Sequence, residues 1–300
     1  MAVPGQSNLK DATKLFERNM SNDSNACNSL DSQESEDSQN DIPAVCPVIW
    51  SVLDFNIRDN PPWLPEGQTI PIKRVIEDII MYKSEYDMFE LSKKDPELLK
   101  RKLKDIRDEF IYRMAVEEKV GVQELGASSE VLQDHLNSVD NPKKFRRQFS
   151  QEQQETMNMY SALRHFTNNF REMKKTGLID EQYVLDGHKK LMANTMKIGG
   201  KFSENPRETE YKGEVHEYPK SDVIPKCHQA IVDNSNQMME YIRCAFDNNT
   251  EEKILYTVKL AAWLLYNYVS LHPFGDGNGR TCRLLCSYII STIAPFPTPI

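Results

Sequence analysis

Between Leu271 and Arg283 the chain reads LHPFGDGNGRTCR, a histidine, a carboxylate, three glycines, an asparagine and two arginines in one short stretch. Each type has a chemical use. The imidazole of His272 has an ordinary pKa close to physiological pH and can take a proton from a hydroxyl. Gly275, Gly277 and Gly279 bare the backbone. The turn they make should lead into a helix that starts at about Asn278. The first N–H groups of such a helix, together with its dipole, favour an anion in the turn. Arg280 and Arg283 then fall in the first turn, where positive charge opposes the dipole. Spaced three apart, they share a side. Two guanidinium groups at an anion site fit a polyphosphate, whose oxygens they can meet bidentately. Asp276 is an acid among anion binders, and Mg2+ accounts for it, since that ion commonly takes one carboxylate plus phosphate oxygens and water. Phe274 reads as a core anchor under the loop.

Helices must carry this stretch. Apolar spacing predicts them over about 153–175, 180–196, 225–247 and 250–271, with a last one from about Asn278 to Ile293 that the prolines at 295, 297 and 299 close. Upstream, IKRVIEDIIMYKSEYDMFEL has helical spacing. DPELLKRKLKDIRDEFIYRM places Leu99, Leu103, Ile106, Phe110 and Met114 on one stripe, with Asp95-Pro96 as its start. The stretch 199–225 breaks the pattern with Gly, Pro and alternation, which predicts a hairpin or long loop between helices. Four segments follow: a disordered acidic, Ser/Asn-rich tail over 1–44, an N-terminal arm and helices over 45–125, a short helix and polar connection over 126–152, and a core over 153–300.

The 300 residues carry a formal net charge of −8 and show no basic patch, so nucleic acid is not an expected partner. The six cysteines are scattered with no CxxC pair, as expected of reduced thiols. The first twenty residues have no apolar signal region. The most apolar stretch, 254–271, contains Lys259 and Asn267 and reads as a buried helix. The expectation is a cytoplasmic protein, with a nuclear location left open, no membrane partner and its oligomeric state open.

The string HPFGDGNGRTCR resembles the signature of the Fic (Fido) family, HPFx(D/E)GNGRxxR, at every fixed position. ETMNMYSALRHF (155–166) looks like that family's first core helix, LDGHKKLM (185–192) like its second, and GGKF with the extended stretch behind it like the family's flap. The resemblance implies a mainly α fold, a Fic core with a short β-hairpin flap. It also implies transfer of AMP from ATP to a Ser, Thr or Tyr hydroxyl of a target protein. Carried over by position, His272 would be the general base, and Phe274, Gly275, Asp276, Gly277, Asn278, Gly279, Arg280 and Arg283 the nucleotide-binding stretch. Asp276 would hold Mg2+ between the α- and β-phosphates. Arg280 would meet the β-phosphate and Arg283 the γ-phosphate. The target would lie along the flap, about 199–218, by strand addition. Two other uses of such a pocket stay open: removal of AMP or transfer of another nucleotide or phosphate group, and nucleotide binding without catalysis.

The chain departs from the family pattern in three places. Many relatives carry an inhibitory (S/T)xxxE(G/N) segment whose Glu pairs with the second arginine. The counterpart here is MAVEEK, which puts Glu118 in that role but lacks the Ser/Thr and the Gly/Asn. Ser203 stands where an arginine is usual at the flap base, with Arg207 the candidate substitute. The sequence ends at PFPTPI, where relatives continue for at least one more helix. A missing helix would leave apolar surface bare near Leu284, Leu285 and Ile289.

Overall fold

The structure is a computed structural model that describes residues 53–59, 64–92, 95–140, 149–173, 179–195, 198–211, 213–247 and 250–294. The tail over 1–44, with Cys27, and Cys46 in the arm lie outside them. Among the described residues eight α-helices and one hairpin follow in chain order: α1 Ile72–Ser92, α2 Pro96–Glu118, α3 Leu125–Asp140, α4 Gln151–Met173, α5 Glu181–Leu191, β1 Glu208–Tyr211, β2 Glu214–Glu217, α6 Ile224–Ala245, α7 Thr250–Leu271 and α8 Asn278–Ile290. The chain is mainly helical, as the resemblance implied. The segment from 126 opens with a helix of 16 residues, longer than the short helix expected, because Val131 and Leu132 are buried where α3 packs on α2 and α4.

Local chemistry sets the helix ends. Asp95 starts α2 by accepting the Leu98 N–H at 2.8 Å, with Pro96 just inside. Of the predicted stripe, Phe110 and Met114 are fully buried, and Leu99, Leu103 and Ile106 are half-buried. The helix stops at Lys119, which takes a left-handed backbone (φ 53°) and returns its N–H to Val116 and Ala115 carbonyls. A glycine or asparagine suits that position best, and Lys119 occupies the place where the family pattern has one of those two. Asp180 opens α5 by accepting the Tyr183 N–H at 2.6 Å.

α8 is the centre of the molecule. It packs against α7, α4, α2 and α5, and Leu284, Leu285, Tyr288 and Ile289 are all at or below 2 % exposure. Each such side chain contributes about 1.5–3 kcal/mol by leaving water. The bare apolar surface anticipated at Leu284, Leu285 and Ile289 is therefore not there; α2 and α4 close over that face together with α7. By length and composition α7 is apolar enough to cross a membrane. It lies between α6, α8 and α1, with Lys259 and Asn267 both buried. The Lys259 ammonium rests over the Tyr256 ring at 4.8 Å, and Asn267 donates to the Trp263 carbonyl, so both polar groups are accommodated.

The expected hairpin is present between α5 and α6. β1 and β2 pair antiparallel with Glu208 opposite Glu217 and Tyr211 opposite Glu214, and Gly213 (φ 81°) makes the turn. Tyr218 N–H to the Arg207 carbonyl, 2.9 Å, extends the ladder by one step.

Candidate active site

His272 stands where α7 ends. Its N–H still closes the last helical turn on the Tyr268 carbonyl at 3.0 Å, while its own φ of 49° swings the chain out ahead of Pro273. A non-glycine residue in this region costs about 1–3 kcal/mol and persists only when its surroundings hold it. Tyr218, from the end of the hairpin, supplies one hold. Its ring stacks on the imidazole with centroids 4.0 Å apart and planes within 16°. Burial pushes the His272 pKa below its ordinary value, and the nearby Arg207 and His216 add to the fall; the Val269 carbonyl and Asp276 offset part of it. The imidazole is therefore neutral at physiological pH. Nδ1 is buried without a well-formed hydrogen-bond partner among the described residues.

The loop behind His272 is tied to itself. Asn278 Oδ1 accepts the Phe274 N–H at 2.9 Å, and its Nδ2 donates to the Phe274 carbonyl at 2.8 Å. Phe274 is fully buried and stacks on His188. Its side chain and N–H are both engaged internally, so it supports the loop from beneath, as the core-anchor reading expects. The Asn278 side chain is likewise spent on the loop, leaving only its backbone to face an anion. Gly277 begins α8 with φ 76°, and no side chain caps the helix there. Asp276 Oδ1 accepts the Gly277 N–H at 2.7 Å and Arg280 Nη2 at 3.2 Å. Arg280 is 3 % exposed and its Nε has no partner.

Arg283 meets a different acid. Glu118, at the last turn of α2, places Oε1 3.3 Å from Arg283 Nε, with Glu117 4.0 Å from Nη2. The Glu118 carboxylate also covers the start of α8, since a Cβ added to Gly279 would overlap it. A carboxylate at a helix N-terminus beside an arginine sits where an anion is favoured. The two arginines expected to converge are thus each held by an acid, Arg280 by Asp276 and Arg283 by Glu118.

The flap base closes the other side. Ser203 N–H donates to the Pro273 carbonyl at 2.9 Å, and Gly200 N–H donates to His188 Nδ1 at 3.0 Å. Arg207 is buried, donates through Nη2 to the Pro219 carbonyl, and leaves Nε and Nη1 without partners among the described residues. By ladder parity Arg207 and Thr209 share a face with Tyr218, His216 and Glu214, the face that meets His272. Glu208, Glu210, Val215 and Glu217 are on the other face, all exposed.

The structure therefore gathers His272, Asp276, Arg280 and, through Glu118, Arg283 around one turn, with Gly275 exposed at its tip. Two contributors were missed from sequence. Tyr218 is a lone aromatic before a proline and carries no positional signal. His188 was quoted only as part of a core-helix likeness, and a single histidine on an apolar helix face usually marks nothing more than packing.

The helical bundle, the hairpin and this turn define a Fic-type domain. Residues 178–290 match the family model described as Fic/DOC family, and the chain carries a Fic (Fido) domain. It is 52% identical over 42 residues to a Fido domain-containing protein of Dictyostelium discoideum, 14% of this chain and 29% of that one. It is 34% identical over 77 residues to the protein adenylyltransferase Fic of Nematostella vectensis, 26% of this chain and 17% of that one. Each match thus spans less than a third of the relative's length. Fic-1 of C. elegans has the same fold with a TM-score of 0.50 at 19% identity, over 76% of this chain and 58% of that one.

Proposed function

We propose that this protein transfers AMP from ATP to a Ser, Thr or Tyr hydroxyl of a target protein. The observation that carries the reading is the Glu118 carboxylate, held by Arg283 against the start of α8. It marks an anion site within the same turn as a neutral, partly buried histidine. In the proposed step the target hydroxyl oxygen forms a bond to the α-phosphorus while its proton passes to the His272 imidazole. The bond from the α-phosphorus to the bridging oxygen breaks, and pyrophosphate leaves. Arg280 and the open N–H groups of α8 stabilise charge on the phosphates. Arg283 receives the terminal phosphate once Glu118 lets go, so Glu118 holds the resting enzyme back.

The donor set fits Mg2+. Asp276 Oδ1 is occupied by Gly277 and Arg280, and among the described residues no hydrogen bond engages Oδ2. Among the described residues no cluster of three or more His, Cys, Asp or Glu side chains could hold a metal. A single carboxylate suits an ion that arrives with phosphate oxygens. When bound there, Mg2+ would draw charge from the leaving pyrophosphate. The likeness to a named adenylyltransferase supports AMP as the transferred group.

The test uses ATP labelled at the α-phosphorus. His272→Ala should lose transfer and keep Mg·ATP binding. Wild-type protein that neither binds Mg·ATP nor transfers label refutes the proposal. A second reading rests on Glu118, which lies where it could orient a water to hydrolyse AMP from a modified protein. Loss of the AMP mass from an already modified target, with no gain on a naive one, would select it.

A further inference from the structure

We propose that His188 is a positioning residue for this site: one imidazole, hydrogen-bonded at both nitrogens, holds the backbone of Asp276 in register with the glycine pair from which the flap departs. The chemistry it serves rests on the reading above, whereas the linkage itself rests on the hydrogen bonds alone.

His188 lies in the last turn of α5 and is fully buried. The Gly200 N–H reaches Nδ1 at 3.0 Å, and the Asp276 carbonyl lies 2.9 Å from Nε2. An amide N–H only donates and a carbonyl only accepts. Nδ1 must therefore carry the lone pair and Nε2 the proton, so one neutral tautomer satisfies both partners. The ring cannot turn to exchange them, because its face lies on Phe274 with centroids 3.6 Å apart and planes within 6°. Phe274 in turn is fixed by Asn278. Three segments distant in sequence thus meet on one side chain.

The backbone comes close on both sides. A Cβ at Gly277 would lie 3.3 Å from His188 Nε2 and 3.0 Å from Met192 Sδ. Gly200 has φ 74°, and a Cβ there would press on Lys189 Cβ at 2.9 Å. The loop that carries Asp276 and the start of the flap are therefore both drawn down on α5. The direct bond from Ser203 N–H to the Pro273 carbonyl is a second tie between the flap base and the loop. A buried histidine with satisfied nitrogens is usually only structural. Here the two groups it satisfies belong to the residue that would hold the cation and to the strand support that would present the target. An apolar side chain would orphan both.

The test uses the full chain with His188→Gln, His188→Asn and His188→Phe. A glutamine amide nitrogen falls near the place of Nε2, and an asparagine amide oxygen near that of Nδ1. Gln thus keeps the link to Asp276, Asn keeps the link to Gly200, and Phe keeps the stack while losing both. Hydrogen–deuterium exchange without nucleotide reads segments 198–206 and 272–283, and calorimetry reads ATP affinity with and without Mg2+. In Phe, both segments should exchange faster, and the Mg2+-dependent part of ATP affinity should fall about 10–100-fold, the usual effect of losing a partner that orients a metal ligand. Gln should loosen 198–206 alone, and Asn should loosen 272–283 alone and weaken Mg·ATP. Should Phe fail to fold, the contrast between Gln and Asn still decides. Wild-type exchange in all three variants, or equal loosening of both segments by Gln and Asn, overturns the proposal. Wild-type protein that binds no Mg·ATP overturns the nucleotide reading instead, and the exchange pattern still judges the linkage.

Discussion

Removing the Glu118 carboxylate should tighten nucleotide binding, and the structure bounds by how much. At 3.3 Å from Arg283 Nε, and with an effective dielectric of about 20, the gross attraction is about 5 kcal/mol. Both side chains are about a quarter exposed, so water takes back most of that when the pair opens. Fully exposed pairs net about 0–1 kcal/mol, and this one should net about 1–2. In the proposed reading ATP would have to displace the carboxylate to reach Arg283 and the start of α8, so its affinity would carry that cost. Glu118→Ala should then tighten Mg·ATP about tenfold, at about 1.4 kcal/mol per factor of ten. The assay is calorimetry in a His272→Ala background, where turnover cannot consume the ligand. The fold loses the same ~1–2 kcal/mol, so the melting temperature should fall by about 2–8 °C. Unchanged or weaker affinity in a folded Glu118→Ala variant, beside a wild type that binds, refutes the reasoning.

Other consequences follow from the same geometry. Gly279→Ala should also displace Glu118, yet its methyl group would stand where phosphate approaches, so calorimetry should show no gain in Mg·ATP affinity. Lys119→Gly relieves a left-handed backbone and should raise stability by about 0.5–1 kcal/mol in urea unfolding. Burial and the Arg207 charge both depress the His272 pKa. A group that must be neutral to act as a base keeps working down to its own pKa, so the acid limb of kcat/KM should fall below the ordinary histidine value of about 6.5. Arg207→Met removes a positive charge that disfavours imidazolium, so that limb should move to higher pH. Phe274→Ala should cost about 3–5 kcal/mol by emptying a buried ring site.

The sequence made the turn legible because several unusual demands coincide in it: bare backbone, a base, an acid and two cations in fixed order. It also made the helices legible, since each buries one periodic face, and the hairpin, which breaks that period. The pairing of Arg280 was not legible: spacing of three put the two arginines on one side, and nothing local showed that Asp276 sits on Arg280. Glu118 on Arg283, from a helix 165 residues away in sequence, was expected only through the family resemblance. Such long-range placement leaves no local trace. Tyr218 over His272 is hidden for the same reason, as it depends on the hairpin folding back. Leu284, Leu285 and Ile289 suggested a bare face because periodicity tells which side of a helix is apolar and not what covers it. The helix over Leu125–Asp140 was underestimated because a glycine and two serines near its start resemble a connection.

In the proposed chemistry this turn positions ATP for attack at its α-phosphorus beside His272. The most direct measurement incubates the protein with cell extract and ATP labelled at either the α- or the γ-phosphorus, for wild type and His272→Ala. The α-label alone should become attached to protein, and only with the wild type. Attachment of the γ-label, or equal α-labelling by His272→Ala, would contradict it.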